Sequence, residues 1–188
     1  AILKALIQKD TNIKAYLTVV DPETVAEAIN VGVGNEGSFY IGGKIDRVNS
    51  KPVNLTGKVK LISDGKFVFK GPQFTGKEHN MGRTAVIKYG NIHMVVMEKP
   101  AFNWDPELYR SLGLEPKDAQ LVVVKSPNAY KAAYSGISDE MYIVDTPGVS
   151  SPNLLSLPFR KIPRPMHPFD DVSGVNISKN LYLKKSCK

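Results

Sequence analysis

The chain has 188 residues, a formal net charge of +7 and a pI near 9.4, with 42% hydrophobic and 23% charged residues. These proportions belong to a globular chain and exclude wholesale disorder; at this length about 70% of the unfolded surface is buried, enough for one domain with a real core. The single cysteine, Cys187, excludes an internal disulfide framework and a cysteine-based zinc site, and leaves a reducing, cytoplasmic location as the expectation. No apolar run is long enough to span a bilayer, and no signal-peptide pattern opens the chain.

Ile2, Leu3, Leu6 and Ile7 share one helical face, so residues 1–9 read as a helix; its uncapped start at Ala1 reads as a cut within a longer protein. KAYLTVVD (14–21) predicts a buried strand. DPETVAEAIN (21–30) predicts a helix with Asp21 as N-cap, Pro22 at the first helical position and Glu23 in the first turn. Val25, Ala26 and Ile29 supply its apolar face, and Gly32 is placed to stop it.

The next stretch, VGVGNEGSFYIGGK (31–44), carries Gly32, Gly34, Gly37, Gly42 and Gly43. A phosphate-binding loop needs a strand before it and a helix after it, so that helix N–H groups face the phosphate. Here the helix comes first, SFYIGGK reads as strand or turn, and neither GxGxxG nor GxxxxGK[ST] is spelled. The expectation is a helix stop followed by a turn-rich loop that can line a site only with a second domain. Gly34, Asn35, Gly42 and Gly43 are its candidate contact residues.

PVNLTGKVKLIS (52–63) alternates as a strand with Gly57 as a bulge or bend, SDGK turns, and FVFK (67–70) is a short strand. RTAVIKYGNIHMVVMEK (83–99) is a hairpin about Gly90 and Asn91. DPELYRSLG (105–113) predicts a capped helix ending at Gly113. AQLVVVK (119–125) reads as a strand buried on both faces, SPNAYKAAYSG (126–136) as a helix capped by Ser126, and MYIVD (141–145) as a second buried strand, together a parallel right-handed strand–helix–strand unit. Pro147, Pro152, Pro158, Pro163, Pro165 and Pro168 then predict an extended segment that wraps the surface, and a polar, basic tail ends the chain. The fold class is therefore α/β: a mixed sheet with antiparallel hairpins and a parallel βαβ unit, helices packed on the sheet.

Ligands gather at the carboxyl ends of parallel strands. If 119–125 and 141–145 pair, Lys125, Ser126, Asp145 and Thr146 meet on one edge, as a cation, a hydroxyl, a carboxylate and a helix N-terminus. The plainer reading is that Ser126 caps its helix and Lys125 pairs with Asp145. VDTPG (144–148) spells the Asp-x-x-Gly of GTPases, but no phosphate loop or guanine motif accompanies it. His79, His93 and His167 stand at no zinc-ligand spacing and HExxH is absent, so no metal ligand is assigned in this chain and no catalytic residue is named. The basic charge admits a second reading, a non-catalytic module that binds nucleic acid; scattered lysines and the lack of an aromatic RNA-binding signature weigh against it.

Taken in order, DPETVAEAINVGVG, FYIGGKID with KPVNLTGKVKLISDGKF, MGRTAVIKYGNIHMVV, LGLEPKDAQLVVVKSPNAYKAAY and VDTPGVSSPNLLSLPFRKIPRPMHPFD resemble the C-terminal domain of the MlrC family over residues 1–171, leaving 172–188 as the tail. Members of that family look like two-domain zinc metallopeptidases. The resemblance implies zinc held by histidine and acidic residues of an N-terminal domain, no cofactor in the present chain, that N-terminal domain as partner, and a peptide or amide substrate. It implies an accessory role for this domain, helping to form the substrate cleft.

Overall fold

The computed structural model describes residues 1–9, 12–148 and 151–174. Among them the elements run α1 (Ile2–Gln8), β1 (Ala15–Val20), α2 (Pro22–Val31), β2 (Glu36–Ile41), β3 (Val53–Ser63), β4 (Lys66–Val68), β5 (Glu78–Asn80), β6 (Thr84–Tyr89), β7 (Ile92–Met97), α3 (Glu107–Arg110), β8 (Leu121–Val122) and α4 (Tyr130–Ala133). Six strands form one mixed sheet in the order β2-β3-β6-β7-β1-β8, and β4 and β5 form a separate two-stranded ribbon. The first three pairings are antiparallel, whereas β1 runs parallel to both β7 and β8.

The α2 helix forms where local chemistry starts and stops it. The Asp21 carboxylate accepts the Thr24 backbone N–H at 3.1 Å, Pro22 sits at the first position, and Gly32 ends the helix at φ +81° with its N–H on the Ala28 carbonyl. Thr24, Val25 and Ala28 are its buried positions. Val25 and Ala28 pack, with Leu3 and Leu6 of α1, on the sheet face formed by Leu17, Phe39, Val59, Ile87 and Met94. The other face, with Tyr16, Val86, Val95 and Met97, is covered by Phe67, Phe69, Met81, Leu108, Tyr109 and Leu112. Two covered faces are why β6 and β7 are buried almost continuously rather than in alternation. Each such large apolar side chain contributes roughly 1.5–3 kcal/mol on burial.

The α/β class and mixed sheet are as expected, but the third quarter of the chain departs from the sequence reading. The strand expected over 119–125 shrinks to Leu121–Val122, half-buried, and its partner is β1. Residues 141–145 form no strand and are exposed, so the strand–helix–strand unit is absent; the parallel neighbours of β1 are β7 and β8 instead. β7 flanks β1 along its full length on one side, and on the other β8 is only two residues long, too short to offer 141–145 a ladder of matching length. The helix expected over 126–136 is the single turn Tyr130–Ala133, and that over 105–113 is Glu107–Arg110 continued by turns to Gly113, at φ +69°.

Smaller differences follow the same logic. Gly57 pairs in register with Gly37, and the irregularity of β3 lies between Val59 and Leu61. Much of the glycine-rich stretch is the strand β2, and the stretch around His79 is the short strand β5. The described residues divide between two units, one within 1–150 and the other within 151–188. Within the second, Leu154–Ser156 is a 3-10 turn and Arg164 pairs with Asp170, holding that carboxyl down at about 2. Most of the expected tail, 175–188, lies outside the described residues.

Candidate functional site at the carboxyl edge of the parallel strands

β1, β7 and β8 point their carboxyl ends the same way, and two polar clusters are built where β1 and β8 end. The first is centred on Asp21, directly after β1 and 1% exposed. Its carboxylate accepts the Thr24 N–H and hydroxyl at 3.1 and 2.7 Å, the Gly42 N–H at 2.8 Å and the Lys44 ammonium at 3.0 Å. Lys44 also lies 3.1 Å from the Thr24 hydroxyl and 3.5 Å from the Glu23 carboxylate. Burial pushes the Asp21 carboxyl up, but the bonds from Thr24, Gly42 and Lys44 together outweigh it and leave it below the usual carboxylate range. One buried anion thus caps α2, ends β2 and fixes a cation at the sheet edge.

The second cluster is centred on Asn103, also 1% exposed. Its side-chain amide donates to the Thr18 hydroxyl at 3.0 Å and the Val123 carbonyl at 3.2 Å, and its side-chain oxygen accepts the Lys125 N–H at 2.9 Å. The Tyr109 hydroxyl donates to the same Val123 carbonyl at 2.9 Å, and the Tyr134 hydroxyl donates to the Asn103 carbonyl at 3.3 Å. Burial raises both phenols above their ordinary values, with Tyr134 adding to the shift of Tyr109 and the charge of Asp105 to that of Tyr134, so both remain donors. The Lys125 backbone is therefore held in place while its side chain is exposed. Asp105 locks the next loop by accepting the N–H groups of Lys70, Gly71 and Glu107 at 3.1, 2.7 and 2.9 Å.

The glycine-rich stretch is divided between the two ends of β2. Gly34 donates to the Val59 carbonyl at 2.8 Å, tying the stretch to β3, and the Asn35 side chain donates to the Val31 carbonyl at 2.8 Å, closing the end of α2. Six residues of β2 then carry the chain about 20 Å to Gly42 and Gly43, at φ +71° and +66°. Only Gly42 and Gly43 share the end of the sheet where Asp21 and Lys44 sit. Ser126 accepts the Ala129 N–H at 3.1 Å, which shapes the turn into α4, while the residue preceding that helix is Ala129. Asp145 and Thr146 lie in a segment that belongs to no helix or strand. Sequence reasoning found Asp21 as a cap but passed over Lys44 and Asn103. Lys44 follows the glycines directly, whereas AFNWDP around Asn103 carries no pattern to mark it.

Among the described residues no three of His, Cys, Asp or Glu converge as a metal site. The surroundings of two of the histidines, His79 and His93, do not suit zinc. His79 packs its ring against Phe67, Phe69 and Phe102, at centroid distances of 5.4–5.6 Å, and its buried Nε2 meets no polar partner. His93 lies edge-on to Tyr16 at 5.4 Å; burial lowers its pKa first, with Lys88, Lys14 and Lys60 adding to the shift. Three nearby cations disfavour a divalent ion as they disfavour a proton. Among the described residues no helix is long and apolar enough to cross a membrane.

The fold is thus an α/β domain whose parallel strands present a braced polar edge without a metal centre of its own among the described residues. The profile of the MlrC C-terminus family matches residues 1–161, and the chain belongs to that family. It is similar to Microcystinase C of a Sphingomonas species, at 25% identity over 172 residues. It is similar also to a crystal structure from Mesorhizobium sp. BNC1 provisionally named a metallopeptidase, with 25% identity and a TM-score of 0.78. These alignments cover 92% and 90% of this chain but 32% and 34% of the two relatives, so the chain spans about a third of their length.

Proposed function

We propose that this chain is the accessory C-terminal domain of a zinc-dependent peptidase or amide hydrolase, and that it works against an N-terminal metal-bearing part of the same protein. The observation that carries this reading is the family match over residues 1–161, joined to relatives about three times as long, one named a microcystinase and one a metallopeptidase. The zinc and its histidine and acidic ligands belong to the other part. The substrate is a peptide or amide.

The role of this domain is to wall the cleft at the carboxyl edge of β1 and β8. A zinc hydrolase needs an open coordination position, fixed positive groups near the developing oxyanion, and exclusion of bulk water. Lys125 on its pinned backbone supplies the cation. Gly42 and Gly43 supply a close-approach surface braced by Asp21 and Lys44. Ser126, Asp145 and Thr146 complete the candidate wall, while Gly34 and Asn35, at the far end of β2, support the fold beneath it.

The test compares the 188-residue chain with a longer protein in which the metal-bearing part precedes it. Elemental analysis and peptide hydrolysis are expected to show about one zinc per longer chain with activity, and neither in the 188-residue chain. Stoichiometric zinc held tightly by the 188-residue chain overturns the reading.

A further inference from the structure

Met141, Tyr142, Ile143 and Val144 are 38, 78, 70 and 59% exposed, in a stretch that belongs to no helix or strand of the described chain. Aromatic and β-branched residues in succession are the composition of a strand with covered faces. A strand lying on one body covers alternate side chains; here both alternating sets are exposed. The chain's own sheet does not take the segment, since β8 pairs with β1 alone. Unpaired strand-forming backbone with apolar side chains is a template for pairing with another sheet.

What covers it follows from length. Residues 141–144 fall inside the family match at 1–161, and about two thirds of each relative lies outside its alignment with this chain. That remainder is large enough to hold a sheet of its own. We infer that 141–144 adds as a strand to the edge of a sheet in the metal-bearing part. Main-chain hydrogen bonds would hold it, with Tyr142 and Val144 on one face and Met141 and Ile143 on the other. The inference rests on the accessory-domain reading and names its point of attachment.

Amide hydrogen exchange read by mass spectrometry tests it on the intact longer protein and on the 188-residue chain. The amides of 141–144 are expected to exchange at least about a hundredfold more slowly in the longer protein, because a paired strand opens only with its sheet. Adjacent amides in a strand point to opposite sides, so either Tyr142→Pro or Ile143→Pro removes a ladder donor. One of the two is expected to abolish that protection in the longer protein, and neither is expected to shift the urea midpoint of the 188-residue chain. Rapid exchange of 141–144 in a longer protein that holds zinc and hydrolyses peptides overturns the strand addition and leaves the accessory reading standing. A longer protein without zinc or activity overturns the accessory reading, and the inference with it. Protection in the 188-residue chain running as a dimer assigns the segment to a second copy and also overturns the inference.

Discussion

Asp21 concentrates more consequences than any other side chain described. Its carboxylate meets four donors from three residues, and Asp21→Ala would leave the Gly42 N–H without its acceptor and the Lys44 ammonium with only the Thr24 hydroxyl and Glu23. The expected loss is on the order of 2–4 kcal/mol, from one helix cap and the charge-assisted bonds, read as a lower urea midpoint. Because the folded carboxyl titrates below its unfolded value, its stabilisation is complete above the unfolded pKa of about 3.9 and drains away as pH falls through the folded value. Urea midpoints taken between pH 6 and pH 2.5 should fall more steeply for the unmodified chain than for Asp21→Asn; parallel curves would show that Asp21 is not the group responsible. Asn103→Ala removes three hydrogen bonds at the end of β8 and should cost about 2–3 kcal/mol. It should also speed amide exchange at Lys125 beyond what the loss of global stability explains.

At the scale of elements, the turn at Gly43 is the most demanding. Its φ is +66°, and an added Cβ would stand 2.4 Å from the Lys51 carbonyl carbon and 2.5 Å from the Pro52 nitrogen, both backbone atoms that cannot swing aside. Gly43→Ala should therefore destabilise by about 2 kcal/mol or more, whereas Gly34→Ala, with no atom within 4 Å, should cost only the strain of its φ of +89°. Equal losses in urea denaturation would show that the approach of 51–52 does not matter. The α2 helix, the β6–β7 hairpin and β1 were legible because each carries a local cause: Asp21-Pro22 and Gly32, the Gly90-Asn91 turn, an apolar run interrupted only by Thr18. The 141–145 segment was misread because an apolar run says that a strand will be covered without saying by what. Half of the candidate site was hidden for a related reason. Asp21 and Lys44 are joined through the close of β2, and Asn103 reaches Thr18 across 85 residues, so no window of sequence contains either cluster.

For the whole molecule, the surplus of seven positive charges invites the nucleic-acid alternative. A fluorescence titration with short oligonucleotides at two salt concentrations should show no binding near physiological salt. Binding there, with affinity falling steeply as salt rises, would revive the alternative. The order of strands in the large sheet bears on how the molecule comes into being. Ala15 of β1 lies beside Ile92 on one side and Leu121 on the other, so the earliest strand of this sheet in the sequence is flanked by strands made much later. At synthesis rates of roughly 5–20 residues per second, β1 waits on the order of 4–15 s for its first neighbour. Throughout that time Tyr16, Leu17, Val19 and Val20 have no sheet to enter, and the nascent chain is a client for whatever shields apolar segments at the ribosome exit. The domain's yield in a cell should therefore depend on translation speed between residues 20 and 97 more than on its final stability.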